Sequence, residues 1–291
     1  MNAALGRYGP TLGLLYGATF WGVVWYPTRW LESQGMQGAW LTLIGYGAAF
    51  LIFVPFARLT LHGLRKQPLD ALWLFLAAGW TNVAFVLAVL EGEVVRVVLL
   101  FYLSPVWTVI LGRWLLHEHF TWRTAAMLGF GLSGAAVMLW DPALGQVPLN
   151  KADLLAVSAG LAFAVNNVMT RRITGMGVRA KTQLAWIGVV VVSLMTIVAT
   201  SPQVPQVSAV AWSAAVALGV CGFFLSTLAV VYGVTHMPVQ RSAVIMLFEL
   251  VVGAASAWWL AGEVVSAQEW VGGGLILAAA LIAIFQEDHP S

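Results

Sequence analysis

Long apolar runs, separated by short polar breaks, follow one another along the chain. Most runs are close to the length of ~20 residues that an α-helix needs to cross the hydrocarbon core of a bilayer. The breaks contain Gly, Pro, Ser and Gln, which favour turns. The pattern therefore predicts about ten transmembrane helices and leaves no segment for a soluble domain. The predicted spans are Thr11–Leu31, Ala39–Ala57, Leu69–Leu90, Val94–Leu116, Trp122–Trp140, Ala152–Arg172, Lys181–Thr200, Val210–Val234, Arg241–Ala261 and Gln268–Phe285.

The composition agrees with this pattern. Of the 291 residues, 60% are hydrophobic and only 9% charged, and the mean hydropathy is +0.87. A soluble domain carries about 25% charged residues, so this chain could not cover its surface with polar groups in water. The predicted fold class is an all-α integral membrane protein. Because the first apolar run lacks a small-residue cleavage site, we expect it to be a spanning helix and not a signal peptide.

Net charge and cysteine content exclude further classes. The formal charge of +2 is too small to indicate a nucleic-acid partner. The single cysteine, Cys221, lies inside an apolar run, so the sequence contains no disulfide framework and no Cys-pair metal motif. We expect neither a cofactor nor a metal.

Lysine and arginine are distributed unequally between the two ends of the predicted helices. Cytoplasmic loops retain these residues, so both termini are predicted to be cytoplasmic, in a multi-pass protein of the cell inner (plasma) membrane with membrane lipid as a partner. Eleven of the 14 basic residues fall on the side of the N-terminus and three on the other side. The eleven are Arg7, Arg58, Arg65, Lys66, Arg113, Arg123, Arg171, Arg172, Arg179, Lys181 and Arg241, and the three are Arg29, Arg96 and Lys151.

The two halves of the chain are related in sequence. Paired Arg, Trp and Glu residues at one offset are not expected by chance, although membrane composition inflates matches of Leu, Val and Gly. We predict two five-helix repeats, residues 1–145 with the first five helices and residues 146–291 with the last five. A shift of 145 residues superposes Val94 on Val239, Arg96 on Arg241, Trp114 on Trp259, Leu115 on Leu260, Glu118 on Glu263, Gly129 on Gly274 and Leu132 on Leu277.

When a repeat has an odd number of spans, its second copy must enter the membrane from the face opposite to the one where the first copy enters. The two halves are then inverted relative to each other. Inverted repeats recur in transporters, because each half can adopt the conformation of the other and so open a central site to the opposite side. This predicts a secondary transporter that moves a small-molecule substrate by alternating access around a central cavity. The alternative is that duplication only builds a larger bundle.

Short motifs in both halves carry a resemblance to a known family. The first copy has Leu103-Ser104-Pro105-Val106, then Leu116-His117-Glu118, then glycines from Gly129 to Gly134; the second has Phe248-Glu249-Leu250-Val251, Ala261-Gly262-Glu263 and Gly272-Gly273-Gly274. With these motifs the chain resembles the drug/metabolite transporter superfamily in its ten-helix, EamA-type form. Within it, the chain looks most like bacterial exporters of aromatic and other neutral amino acids, and we expect a monomer. Leu250 in place of a proline and His117 in place of a glycine depart from the family pattern.

Glu249 is the leading candidate for a substrate-binding residue. It lies near the middle of the ninth predicted span, where an ionisable group costs at least ~2.5 kcal/mol unless it faces protein or water. Met246 recurs with it at helical spacing. Glu249 could bind a substrate ammonium group or carry a coupling proton. The alternative is a structural hydrogen bond between helices.

Two amides and one ring in the sixth predicted span form a second set of candidates. Asn166 and Asn167 follow Phe163 by about one helical turn, and side-chain amides can bind both ammonium and carboxylate groups. Adjacent residues point ~100° apart on a helix, so only one of the two amides is expected to face the pathway. Helix–helix adhesion by a polar side chain is the alternative.

Aromatic residues within the spans are further candidates for the substrate site. They are Trp21, Trp25, Tyr46, Trp80 and Tyr102. Aromatic walls suit flat or apolar substrates and can hold a cation over a ring. Because aromatic side chains also commonly face lipid, each ring has that alternative.

Two prolines inside spans are expected to kink their helices. Pro27 in the first span and Pro105 in the fourth each remove a backbone hydrogen bond. Such kinks can allow gating, but they also occur in membrane proteins without a gating role.

Acidic residues at span ends have a simpler interpretation. Glu118 and Glu263 precede the fifth and tenth helices and are expected to cap turns on opposite faces. Glu91, Glu93 and Arg96 cluster at the ends of the third and fourth spans, where they could form an ion-pair gate or extend to water; we favour the second.

The sequence argues against a membrane-embedded enzyme and against direct use of ATP. The five histidines lie in loops or at span ends, and no His-Glu-x-x-His, Gly-x-Ser-x-Gly or Walker motif is present. The sequence contains no segment that resembles an ion-selectivity filter, so it does not favour a channel. The remaining alternatives are export or facilitated passage of a different small organic metabolite or drug, or a membrane channel or scaffold.

Overall fold

The computed structural model describes residues 2–36, 38–54, 64–142, 148–201 and 203–285. Two residues named in the sequence analysis lie outside this part of the chain: Ala57, where the second predicted span ends, and Arg58. Two of the five histidines, His62 and His289, also lie outside it. Both residues of the predicted boundary between the halves, 145 and 146, also lie outside it.

Within the described residues the regular secondary structure is helical, without strands. This is the outcome expected of a chain that crosses a bilayer, where each backbone N–H and C=O must find its partner inside the same segment. The principal helices are α1 (Asn2–Val23), α2 (Trp25–Ser33), α3 (Gly38–Phe53), α4 (Pro68–Glu91), α5 (Val94–Phe101), α6 (Ser104–Leu115), α7 (Trp122–Met138), α8 (Lys151–Arg172), α9 (Val178–Thr200), α10 (Ala209–Ala217), a π-helix (Leu218–Phe223), α11 (Phe224–His236), α12 (Val239–Met246), α13 (Phe248–Ala261) and α14 (Ala267–Phe285).

Seven helical segments of the described chain are long and apolar enough to cross a membrane. They are α4, α5 with α6, α8, α9, α10 through α11, α12 with α13, and α14. The segment of α1 and α2 passes the same test together with α3, as a pair bent by 119°, and adds an eighth. At 17 residues, α7 is shorter than these spans. The prediction of an all-α, multi-pass membrane protein is confirmed, whereas the count of ten spans stays a prediction.

Two helix breaks coincide with the prolines. The first predicted span is interrupted at Val24, three residues before Pro27. The fourth is interrupted between α5 and α6, at Tyr102, and Pro105 stands in the first turn of α6. Each proline lacks the N–H that would bond to the carbonyl four residues back, which in the second case belongs to Phe101.

A further break, at Leu247 between α12 and α13, has no proline. The Leu250 N–H bonds to the Leu247 carbonyl, only three residues back, so the chain is wound more tightly here than an α-helix. The bounds of α12 nevertheless lie 145 residues after the bounds of α5, Val94 and Phe101. The same break therefore recurs at the same place in the two related stretches of sequence.

The helix ends after these breaks also match. His117 after α6 and Gly262 after α13, again 145 residues apart, both have positive φ, +58° and +69°. In each turn the following N–H closes back onto its helix: Glu118 bonds to the Gly112 carbonyl at 3.2 Å, and Glu263 bonds at 3.3 Å to a carbonyl at the equivalent position. This left-handed helix end is one that glycine adopts without strain.

The closest helix packing joins the first part of the chain to the second. α4 packs against α8 and α9, α7 against α14, α1 against α11 and α13, and α3 against α9. Glycines permit these approaches: a Cβ at Gly134 would lie 2.6 Å from the Gly272 carbonyl oxygen, and one at Gly79 would lie 2.6 Å from the Gly188 carbonyl oxygen. Small residues at membrane helix interfaces allow such backbone contact.

Candidate functional site

The two broken helices place Tyr102 and Glu249 side by side. The Tyr102 hydroxyl donates a hydrogen bond to the Oε1 atom of Glu249. Tyr102 is buried directly after α5, and Glu249 lies in the first turn of α13, where unpaired backbone N–H groups and the helix dipole favour negative charge. A carboxylate at membrane depth needs such partners. Two residues predicted from the sequence are therefore in direct contact.

Met246 and Trp21 are part of the apolar packing next to the break between α12 and α13. Met246 ends α12 and is buried in the main apolar cluster, against which Phe248 and Trp21 pack. At Gly22, a Cβ would lie 2.6 Å from the backbone carbonyl oxygen of Glu249. α1 and α13 therefore meet through backbone at the break.

Trp25 is tied to α13 by a hydrogen bond. Its Nε1 donates to Ser256 Oγ at 2.8 Å, and the same Oγ lies 3.0 Å from the Gly22 carbonyl oxygen and 2.9 Å from the Gly253 carbonyl oxygen. A hydroxyl has one proton to donate, so it serves one of these carbonyls at a time. The Arg29 guanidinium lies 5.6 Å from the centroid of the Trp25 ring, which is a cation–π distance.

Phe223 forms the centre of an aromatic stack that the sequence analysis missed. The Trp21 ring stacks on one side of it at 5.6 Å between centroids, Tyr46 stacks at 4.9 Å, and Phe20 meets it edge-on at 5.8 Å. Phe223 ends the π-helix, an element that is rare and frequently marks functional sites. In sequence it resembles any aromatic in an apolar run, so only the fold identifies it.

A second aromatic group leads from α8 to the Tyr102–Glu249 pair. The Phe163 ring lies 5.5 Å from Phe101, which in turn lies 5.8 Å from Tyr102. One turn further along α8, the half-buried Asn166 has a side-chain oxygen that is enclosed and accepts no hydrogen bond from the described residues. Its neighbour Asn167 is buried. An enclosed acceptor of this kind is available to a donor group on a ligand.

Trp80 lies apart from the other predicted aromatics. Its ring is exposed, and its Nε1 donates to Ser158 Oγ of α8 at 3.2 Å. Among the described residues it makes no ring contact with the other predicted aromatic side chains.

Arg96 forms a buried ion pair with Asp153, a residue the sequence analysis did not single out. Both guanidinium–carboxylate hydrogen bonds are 2.7 Å long, and Asp153 also accepts from the Asn150 N–H at 3.0 Å. The expectation that Arg96 extends to water is therefore wrong. Glu91 instead pairs with the exposed Lys151, at 2.9 Å. The two members of the buried pair stand 57 residues apart, too far for a local pattern to connect them.

Glu118 caps the beginning of α12. Its Oε1 accepts a hydrogen bond from the Val239 N–H at 3.0 Å. Burial raises the pKa of Glu118 above its ordinary value, while the backbone N–H groups of Val239 and Gln240 and the charge of Arg171 act in the opposite direction. The expected capping role is thus seen, but across two helices that are distant in sequence.

The groups at the two breaks suit a polar organic molecule better than a metal ion. They comprise one carboxylate, one amide oxygen, two helix N-termini and several aromatic faces. In the described part of the chain, no three His, Cys, Asp or Glu side chains are arranged to hold a metal. A carboxylate can bind an ammonium group, a helix N-terminus can bind an anion, and the rings can enclose an apolar side chain.

Comparison with known proteins agrees with this architecture. The sequence profile of the EamA-like transporter family matches twice, over residues 10–140 and 150–285. A protein of Archaeoglobus fulgidus described as an uncharacterized transporter is 24% identical over 277 residues, covering 95% of this chain and 96% of that protein. One crystal structure superposes with a TM-score of 0.74 at 18% identity, covering 94% of this chain and 96% of the other, and so shares the fold. The chain therefore belongs to the EamA-like transporter family and is a multi-pass membrane transporter.

Proposed function

We propose that this protein is a secondary transporter that exports a small metabolite, an aromatic or other neutral amino acid, by alternating access. The transport path runs between two inverted five-helix repeats, residues 1–145 and 146–291, which make ten spans with both termini in the cytoplasm of an inner-membrane protein. The observation that carries this proposal is the contact between Tyr102 and Glu249, each at a break in its own helix.

The recurrence of local geometry supports the inverted repeats. α5 and α12 have equivalent ends, and α6 and α13 both finish in a left-handed turn. Equivalent helices of the two repeats also pack in equivalent ways. In one set of contacts α4 and α6 pack against α8, and in the corresponding set α11 and α13 pack against α1. An odd number of spans in each repeat makes the two copies opposite in direction.

The proposed substrate site lies between the two breaks. The Glu249 carboxylate binds the substrate ammonium group, and the Asn166 side-chain oxygen accepts a second hydrogen bond from it. The first turns of α6, with buried Ser104, and of α13 begin at mid-span, where a half-helix N-terminus favours the substrate carboxylate. The stacked rings around Phe223, with Phe163 on the other side, receive the substrate side chain.

Glu249 also gives the transporter a means of proton coupling. The Glu249 carboxylate can release its hydrogen bond from the Tyr102 hydroxyl and bind a proton or a substrate ammonium group in its place. Either event changes the net charge of the site. An export cycle driven by the proton gradient then depends on this one residue, whereas a facilitator would not. A channel or scaffold would need no such exchange.

Counterflow in proteoliposomes tests the proposal. Purified wild-type protein is reconstituted with unlabelled aromatic, branched or small neutral amino acids inside, and uptake of the labelled species is measured with and without a pH gradient. Saturable exchange of one class is the expected result. Flux that does not saturate and shows no counterflow would identify a channel, and silence across the panel from folded protein would overturn the amino-acid assignment.

Two variants sharpen this assay. Glu249→Gln removes the charge but keeps the shape, and is expected to abolish both counterflow and its dependence on the pH gradient. Glu32→Gln makes the same chemical change at an exposed position near the end of α2 and should transport like wild type. Wild-type rates for Glu249→Gln at every pH would refute the assigned role.

A further inference from the structure

The two equivalent helices α5 and α12 begin in different surroundings. Val239 and Gln240, the first residues of α12, are 0% and 3% exposed. Val94 and Val95, their equivalents at the start of α5, are 54% and 43% exposed. Sequences related by duplication thus have one covered and one exposed helix start, so the two copies are packed differently at this point.

Glu118 makes the seal at the start of α12. Its Oε1 accepts from the Val239 N–H at 3.0 Å, and its second carboxylate oxygen is also buried. Gly112, in the last turn of α6, lets the helices meet: a Cβ there would lie 2.8 Å from a Val239 methyl carbon and 3.6 Å from Glu118 Oε2. The end of α6 is therefore locked against the start of α12.

Other polar contacts close the same face. The Arg171 side chain donates to the Thr235 carbonyl, and the Lys181 ammonium donates to the Thr170 carbonyl at 2.6 Å and lies 3.3 Å from the Thr235 hydroxyl. These contacts bind the ends of α8 and α11 to the beginning of α9. Arg171 is also the cation whose charge acts on Glu118.

Glu263 holds the corresponding position on the other face without the corresponding contact. It follows Gly262 as Glu118 follows His117, and its N–H closes the same type of turn. Its side chain is exposed, and within the described ranges no hydrogen bond joins it to the start of α5. The carboxylate is in place for a cap that this conformation does not make.

We propose that Glu118 and Glu263 are alternating latches: Glu118 caps α12 when its face is closed, and Glu263 caps α5 when the opposite face is closed. This inference rests on the proposed alternating access. The two glutamates act as positioning residues, since they fix which of the two breaks is exposed and do not touch the substrate site. The conformation described here has the Glu118 latch closed and the Glu263 latch open.

Thiol labelling measures both faces without any substrate. The exposed native cysteine is first removed by Cys221→Ala. V95C or Q240C then reports on the start of α5 or of α12, and the rate of modification by a membrane-impermeant maleimide is measured on the full chain in detergent. With wild-type glutamates, V95C should react at least tenfold faster than Q240C.

Three latch variants are compared in each reporter background. E118A should raise the Q240C rate several-fold and lower the V95C rate, because opening one face closes the other. E118Q should retain the wild-type rates, since the amide oxygen can accept the Val239 N–H. E263A should leave the V95C rate unchanged, because this conformation makes no cap at that site, and should not raise the Q240C rate, because it removes the cap of the other conformation.

The two reporters separate the latch from simpler effects. A faster Q240C with an unchanged V95C rate means local fraying of α12 and overturns the proposal, as does an E118A protein with neither rate changed. If E118A does not fold, a several-fold rate change in E118Q, in which the cap acceptor is preserved, overturns it as well. Reciprocal labelling together with absent counterflow would leave the latch standing and reject only the proposed transport function.

Discussion

The Tyr102 hydroxyl donates its hydrogen bond to Glu249 across two helices that are broken at different residues. The contact places a phenol from the first half of the chain against a carboxylate from the second. Any motion that separates the two broken helices must also break this hydrogen bond. The pair is therefore both a stabilising contact and a point at which a substrate can compete.

Tyr102→Phe removes the donor and leaves the Glu249 carboxylate with one partner fewer. A hydrogen bond to a charged group contributes about 1.5–3 kcal/mol, so we expect the free energy of unfolding to fall by about 2 kcal/mol. Unfolding in detergent, followed by circular dichroism, measures the loss. Tyr16→Phe, at an exposed position in α1, is the control; equal stability of the two variants would show that the contact contributes nothing.

The buried pair of Arg96 and Asp153 should be costly to break from either side. Arg96→Met or Asp153→Asn removes one member of the ion pair and keeps the other charge buried, for an expected loss of about 3–5 kcal/mol. The double replacement should cost less than the sum of the two single losses, because neither buried charge then remains. A double-mutant cycle on the free energy of unfolding measures this coupling.

Lys151→Met is the matched control for that cycle. Lys151 pairs with Glu91 in an exposed position, where ion pairs contribute about 0–1 kcal/mol. A loss as large as that of Arg96→Met would contradict the difference between the buried and the exposed pair.

His117→Gly should stabilise the protein. His117 has φ of +58°, a conformation that glycine adopts without a Cβ penalty. We expect a gain of about 1 kcal/mol and a higher melting temperature, since a left-handed residue other than glycine costs roughly 1–2 kcal/mol. Gly262→Ala is the reverse change at the equivalent turn and should lower the melting temperature; changes of the same sign in both variants would contradict the argument.

Glu118→Gln should change how stability depends on pH. Burial raises the pKa of Glu118 above 4.5, so the folded protein holds this proton more tightly than the unfolded chain does. Its contribution to stability is therefore full below pH 4.5 and is lost as the pH rises through the raised pKa. The free energy of unfolding of wild type should therefore fall relative to that of Glu118→Gln as the pH rises through the raised pKa.

Unfolding at a series of pH values, from below 4.5 upward, measures this difference. Glu263→Gln, at the exposed equivalent position, should follow the wild-type curve. Parallel curves for wild type and Glu118→Gln would contradict the assigned effect of burial.

Much of the helical framework could be predicted from the apolar pattern alone. Hydrophobic runs specify which segments enter the bilayer, and the run that begins at Val94 starts where α5 starts. Proline chemistry explains the breaks near Pro27 and Pro105. The break at Leu247 could not be foreseen, because no residue in its own sequence removes a hydrogen bond there, and only the repeat relation to α5 indicates it.

Contacts between distant helices were harder to predict. Glu249 stands out because a charge in an apolar run is costly, but its partner Tyr102 is one of many aromatics. The local sequence around Asp153 indicates only a residue at a helix start, and the local sequence around Phe223 indicates only an ordinary apolar side chain. Their roles come from which helices pack together, and composition and spacing do not contain that information.

The packing of each early helix against a later one bears on how the chain is made. A ribosome completes α1 through α5 before α8, α9 and α11 exist to cover them. Arg96 is synthesised before Asp153 of α8, so their ion pair can form only after α8 has been made. The contacts between early and late helices, including this ion pair, therefore form late in the assembly of the protein.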